Sequence, residues 1–136
     1  LERMGDYAKG IAKITVLISE NDTPVPIREI SRMGDLAVSM LHRALSAFIN
    51  EDVKMAYRIP KEDDEVDALY NQVYEDLLGD ITGDAGKMEQ ANYLMWAAHN
   101  LERTADRVTN ICERVVFTVT GKMREFTPDY GLESIP

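Results

Sequence analysis

Apolar residues recur along this chain in alternating steps of three and four, the spacing of one face of an α-helix. No stretch alternates apolar and polar residues as a half-buried strand does. Leu1, Met4, Ala8, Ile11, Thr15 and Ile18 keep the rhythm, with Ile14 and Leu17 beside them. No capping residue precedes Leu1, so the pattern opens as a helix already under way. The stretch Ser19 to Pro26 carries two prolines among polar residues and ends that helix, leaving 21–26 as a linker. A second helix is expected from Ile27 to Phe48, with Ile30, Gly34, Ala37, Leu41, Ala44 and Phe48 as its seam. Asn50-Glu51-Asp52 reads as a break, and Val53 to Ile59 as one or two further turns. Pro60 suits the first turn of a new segment. A third helix follows over Lys61 to Leu78, with Val66, Leu69, Val73 and Leu77 inward. Gly79 to Gly86 reads as a loop with capping candidates at Thr82 and Asp84.

The fourth helix has the strictest pattern. Leu94, Ala98, Leu101, Ala105, Val108, Cys112, Val115 and Val119 form a heptad stripe. One line of it is small throughout, Ala91, Ala98, Ala105 and Cys112, which lets a neighbouring helix come close. Gly121 stands where a helix-ending glycine belongs, and 122–136 reads as an irregular tail. The fold class is therefore all-α: an antiparallel three-helix bundle over 27–121, preceded by one extra helix at 1–20.

Composition narrows the function. A chain of 136 residues, 45% hydrophobic and 29% charged, is long enough for one cored domain. Its net charge of −9 argues against nucleic acid and against an anionic membrane surface, both of which need a basic face. No apolar run approaches the roughly 18 residues of a membrane span. One cysteine rules out an internal disulfide and fits a reducing, cytoplasmic setting.

Two hexapeptides 100 residues apart are nearly the same: Leu1-Glu2-Arg3-Met4-Gly5-Asp6 and Leu101-Glu102-Arg103-Thr104-Ala105-Asp106. Each places a Glu and an Asp four residues apart, on one helix face, where like charges repel by roughly 0.2–0.5 kcal/mol. Asn110 extends the second stripe, and Glu113 lies near the same face. The third helix carries a matching pair, Asp63 and Asp67. Both pairs adjoin core positions, so two neighbouring helices offer four carboxylates along a shared edge. Such oxygen donors suit Mg, Mn, Ca or iron, and zinc accepts them too.

The plainer reading is a solvated charged face, with Arg103, Arg107 and Arg114 neutralising the stripe. A di-iron bundle of the ferritin type needs Glu-x-x-His, and neither His42 nor His99 has it; His99 is at most an outer ligand. Cys112 lies on the small core line. Trp96, Tyr70, Tyr74 and Tyr93 are spaced as bundle packing. Asp35, in a faint echo of the hexapeptide at Arg32-Met33-Gly34-Asp35, is a minor candidate.

The run from Asn100 to Gly121 resembles the last helix of PhoU-type phosphate-uptake regulators. Ala47-Phe48, Asp52 and the run from Asp63 to Tyr70 resemble the two helices before it. Leu1 to Ile18 resembles the last helix of the first of that family's two three-helix bundles, so the chain would hold a second bundle and one helix of a truncated first. The resemblance implies multinuclear iron or zinc on the E/D-x-x-x-D motifs. It makes Asp63, Asp67, Glu102 and Asp106 ligands, with Asn110 and Glu113 near them. Glu2 and Asp6 match the first bundle's motif without its partner helix; Gly10 and Lys13 replace the counterparts of Asn110 and Glu113. Arg107 stands where the family often has His. The resemblance further implies a non-enzymatic negative regulator of phosphate uptake and of the phosphate-starvation response. It would dock on a phosphate transporter ATPase and a sensor histidine kinase.

Two other classes stand beside this one: a carboxylate-bridged metalloenzyme, and a helical interaction module without metal. The first helix would expose Ile11, Ile14 and Leu17 unless something covers them, so a homodimer is expected, with this helix on its own bundle or a neighbour's.

Overall fold

The computed structural model describes residues 1–19, 27–80 and 85–126. They form five α-helices: α1 (Glu2–Ser19), α2 (Ile27–Ile49), α3 (Val53–Arg58), α4 (Asp63–Asp80) and α5 (Ala85–Thr120). A single 3₁₀ turn, Ile59–Glu62, joins α3 to α4. No strand occurs among the described residues. No helix among them is long and apolar enough to cross a membrane.

The long helix α5 is the spine. Its 36 residues span about 54 Å, and every other helix packs on it. Pairings of residues give the directions. Tyr70 lies against His99 and Asp63 beside Asp106, so α4 runs antiparallel to α5. Gly34 meets Leu101 and Arg43 lies near Cys112, so α2 runs parallel to it. The sequence-based architecture holds.

The core is continuous through α2, α3, α4 and α5. Met33, Met40, Ala44, Ala47, Ala56, Ile59, Val66 and Val73 are fully enclosed, as are Ala98, Ala105, Val108 and Cys112 of α5. On α2 the buried row is Met33, Ala37, Met40, Ala44 and Ala47. The expected seam shared only Ala37 and Ala44 with it, and its last member, Phe48, is 53% exposed. Two adjacent rows on a helix share every other member, and a flexible Met fills the enclosed row as well as Leu or Ile would. Trp96 and Tyr74 were expected to pack within the bundle, yet they are 69% and 49% exposed. Val119 is also largely open, because α5 outruns its neighbours there.

The breaks have local causes. Helix α2 ends with Glu51 in the left-handed region, φ 53°. The Asp52 N–H donates to the Ala47 carbonyl at 2.9 Å and the Glu51 N–H to that of Phe48 at 3.4 Å, a Schellman closure. Asp52 then caps α3, accepting the Met55 N–H at 3.0 Å. Pro60 occupies the start of the 3₁₀ turn, where its missing N–H costs nothing. Gly121, φ 70°, ends α5 by donating to the Phe117 carbonyl at 2.8 Å. Helix α4 runs on through Gly79 and Asp80, and α5 begins at Ala85, so the expected loop is shorter at both ends. The capping candidates Thr82 and Asp84 lie outside the described residues, as do the 21–26 linker and the tail beyond residue 126. Residues 122–126 are irregular, as expected, but not free. The Phe126 ring stands edge-on to Tyr57 with centroids 5.3 Å apart.

Candidate functional site

Two helices build the carboxylate edge. Asp63 lies in the first turn of α4, reached directly from the 3₁₀ turn, and Asp67 follows one turn later. Arg43 of α2 pins that entry, its guanidinium donating to both oxygens of the Glu62 carboxylate. The fork lowers the Glu62 pKa and raises that of Arg43. Glu62 directly precedes Asp63, so the ion pair fixes where the edge begins.

Across from them α5 presents Glu102 and Asp106. Asp106 is the centre of the group. Its charge raises the pKa of Asp63, Asp67 and Glu102 alike. Burial is the largest cause in all three, and the neighbouring carboxylates add to it. Asp63 is pushed up to about 7, by burial first and then by the nearby charges of Asp106 and Asp67. Ionised carboxylates so placed repel unless a proton or a cation lies between them. One oxygen of Asp63, Oδ1, is buried with no partner. A buried acceptor left in this state is costly, and it marks where a proton donor or cation belongs. At the rim His99 Nδ1 approaches Glu102 Oε2 at 3.7 Å and its ring tilts against Tyr70.

The structure sorts the remaining candidates. Glu113 accepts the backbone N–H of Phe126 at 3.0 Å, so it anchors residues 122–126. Asn110 is exposed, and together with Asp106 it lines a groove between α5 and α1. Glu2, Asp6 and Asp35 are exposed surface residues. Ile14 is buried on α5, whereas Leu17 stays 42% exposed. Cys112 is wholly buried and its thiol is pushed up to about 12, which makes it a core residue and not a nucleophile. Among the described residues the close ion pairs are Arg32–Glu65 and Arg43–Glu62; Arg103, Arg107 and Arg114 make none at that distance, though the charge of Arg103 acts on Glu102.

In donor chemistry the edge suits a hard cation: carboxylates from facing helices, mutually unfavourable when ionised, with one orphaned buried oxygen. Among the described residues, however, no three His, Cys, Asp or Glu side chains are grouped to hold a metal ion as they stand. Uptake would require the carboxylates to turn toward one another.

The helical fold has counterparts in known proteins. The family model of the PhoU domain matches residues 30–115. The chain belongs to the PhoU domain family. A phosphate-specific transport system accessory protein PhoU homolog of Clostridium acetobutylicum is 35% identical over 122 residues, covering 90% of this chain and 56% of that protein. Its namesake in Zymomonas mobilis is 39% identical over 122 residues, covering 90% and 52%. The crystal structure of the phosphate transport system regulatory protein PhoU from Streptococcus pneumoniae superposes with a TM-score of 0.81 at 32% identity, covering 92% of this chain and 59% of that one. The chain thus spans a little over half the length of these PhoU relatives.

Proposed function

We propose that this chain is a PhoU-type regulatory module of phosphate transport and phosphate-starvation signalling that acts by docking. Its partners are the phosphate transporter's ATPase and a sensor histidine kinase, and its setting is the cytoplasm. The relatives' names, transport-system accessory and regulatory proteins, support the regulatory role. In this reading Asp63, Asp67, Glu102 and Asp106 hold iron or zinc, with Mg, Mn or Ca as other hard-cation occupants. When bound, the metal supplies positive charge that ties α4 to α5 across their carboxylate edge. No bond-breaking step is involved: the residues hold a docking face in shape.

The observation that carries the metal reading is the buried, unpartnered oxygen of Asp63 in a carboxyl driven to about 7 beside Asp106. The test is metal content by mass spectrometry on protein purified without added metal, for wild type and for the Asp67→Ala, Asp106→Ala double variant. Stoichiometric iron or zinc in wild type and none in the variant is expected. Wild type that carries no metal, and takes none up on titration, would leave the second reading, a metal-free helical docking module. That reading is favoured by the absence of a ready-made coordinating group among the described residues.

Docking is tested separately, by surface binding to the purified transporter ATPase subunit. Self-association belongs to the same proposal: Val16 and Leu17 on α1 are 63% and 42% exposed and suit the covered face of a homodimer. Light scattering after size exclusion is expected to give twice the chain mass.

A further inference from the structure

Helix α1 packs on α5 alone among the described helices, and between them lies a groove of about 520 Å³. Gly10 lies so close to Asn100 that a Cβ there would meet its Nδ2 at 2.9 Å, while Arg3 and Tyr7 share the groove with Arg103 and Arg107. These pairings make α1 antiparallel to α5. The Leu-Glu-Arg motif, repeated on two helices that run oppositely, therefore delivers Arg3 and Arg103 to one groove. Arg107 joins them, with Tyr7, Asp106 and Asn110 completing the lining.

Three guanidiniums gather here in a chain of net charge −9 with only 15 Lys and Arg. None of the three forms an ion pair among the described residues. In the lining itself the one carboxylate is Asp106, while Glu102 beside it also acts on Arg103. Guanidinium forks match the oxygens of a phosphate group in geometry, which ammonium groups do not. A phosphate monoester carries about −1.5 to −2 near neutral pH and three strong acceptor oxygens, enough for all three forks. The groove is far larger than a bare phosphate. Its remaining lining offers a tyrosine ring as an apolar wall and two side chains, Asp106 and Asn110, that accept hydrogen bonds from hydroxyl groups.

We propose that this groove binds a small hydroxyl-bearing phosphate monoester. Arg3, Arg103 and Arg107 hold the phosphate, and Asp106 and Asn110 receive hydroxyls of the organic part. The arginine cradle itself needs no metal; Asp106 is shared with the carboxylate edge, so the titration is made with chelator present.

The test is calorimetric titration of the full chain with ribose 5-phosphate, inorganic phosphate and sulfate, at fixed ionic strength and with chelator present. Saturable binding is expected, with ribose 5-phosphate tighter than inorganic phosphate. Arg3→Gln and Arg107→Gln should each weaken it by roughly tenfold, the scale of losing a charge-assisted hydrogen bond. Both positions are exposed, so melting curves should match wild type and exclude misfolding as the cause. Asn110→Ala should erase the preference for ribose 5-phosphate over inorganic phosphate. Four results would each overturn the proposal: no saturable heat, equal affinity for sulfate and ribose 5-phosphate, binding that appears only when divalent metal is restored, or binding to phosphatidic acid vesicles without binding to soluble ribose 5-phosphate.

Discussion

Asp63 and Asp106 set two carboxyl groups on opposite helices close enough to act on one another, and burial together with the Asp106 charge pushes Asp63 up to about 7. Its ordinary value is 3.8. Between these two pH values the folded chain therefore binds more protons than the unfolded chain. Stability contributed by the group is full below 3.8 and is lost as pH rises toward 7. Asp67 and Glu102 are shifted upward too and act in the same sense. In chelator, the melting temperature at pH 7.5 should fall below that at pH 5 by a few degrees. That is on the order of 1 kcal/mol, after discounting for the solvent that screens these half-buried groups. Asp63→Asn should flatten the profile and raise the melting temperature at pH 7.5. A melting temperature that climbs steadily from pH 5 to 7.5 in chelator would sink this account of the edge.

The Arg43–Glu62 fork has the opposite pH signature. Glu62 sits below its ordinary 4.5, so its contribution is present above that value and lost as pH falls through the lowered one. Both side chains are about one-third exposed, so the pair is worth about 1 kcal/mol or less. Its larger effect is positional, since it holds the turn that delivers Asp63. Arg43→Met is expected to cost little in urea midpoint but to weaken metal uptake at the carboxylate edge. Arg43→Lys should keep the charge, lose the fork and fall between the two. Unchanged metal affinity in Arg43→Met would show that the turn stays put without the pair.

Much of this was legible beforehand, and the misses have physical reasons. Val66, Val73, Ala98, Ala105 and Cys112 were read correctly as core because each lies on the one apolar row its helix offers. Helix α2 offers two, and periodicity cannot tell which one its neighbours enclose. The four edge carboxylates were found from i, i+4 spacing next to core positions, a local signal. Glu113 was read only as lying three residues beyond Asn110, near the same face; a contact 13 residues away, with Phe126, engages it. The groove between α1 and α5 was out of reach because it depends on the antiparallel pairing of two helices far apart in sequence. The repeated Leu-Glu-Arg motif was the available hint.

Glu51 gives a sharp check on backbone strain. It holds a left-handed conformation, φ 53°, that a Cβ disfavours by roughly 1–2 kcal/mol. Its side chain is exposed. Glycine takes the same conformation freely but loses more entropy on folding. Glu51→Gly is therefore expected to be neutral to about 1 kcal/mol stabilising in urea unfolding, and Glu51→Val destabilising. A loss of stability in the glycine variant would mean that the Glu51 side chain makes up for its backbone.

The hexapeptide repeat puts Gly5 and Ala105 in equivalent places, yet their surroundings demand opposite responses to added atoms. Gly5 lies inside α1, exposed, with nothing within 4 Å of where a Cβ would stand. Gly5→Ala should stabilise by about 0.5–1 kcal/mol, from helix propensity alone. Ala105 is fully enclosed on the small-residue line of α5. Ala105→Leu forces extra methylenes into a close-packed helix contact and should destabilise by about 1–3 kcal/mol. Urea midpoints of the two variants, followed by circular dichroism, check both signs at once. The alanine result carries a second lesson. Helix α1 is held by Met4 and Ile14 buried on α5, so strengthening it should raise the midpoint of the whole transition. If Gly5→Ala left the midpoint unchanged while Ala105→Leu lowered it, α1 would melt apart from the bundle. The groove it forms with α5 would then open before the rest of the fold is lost.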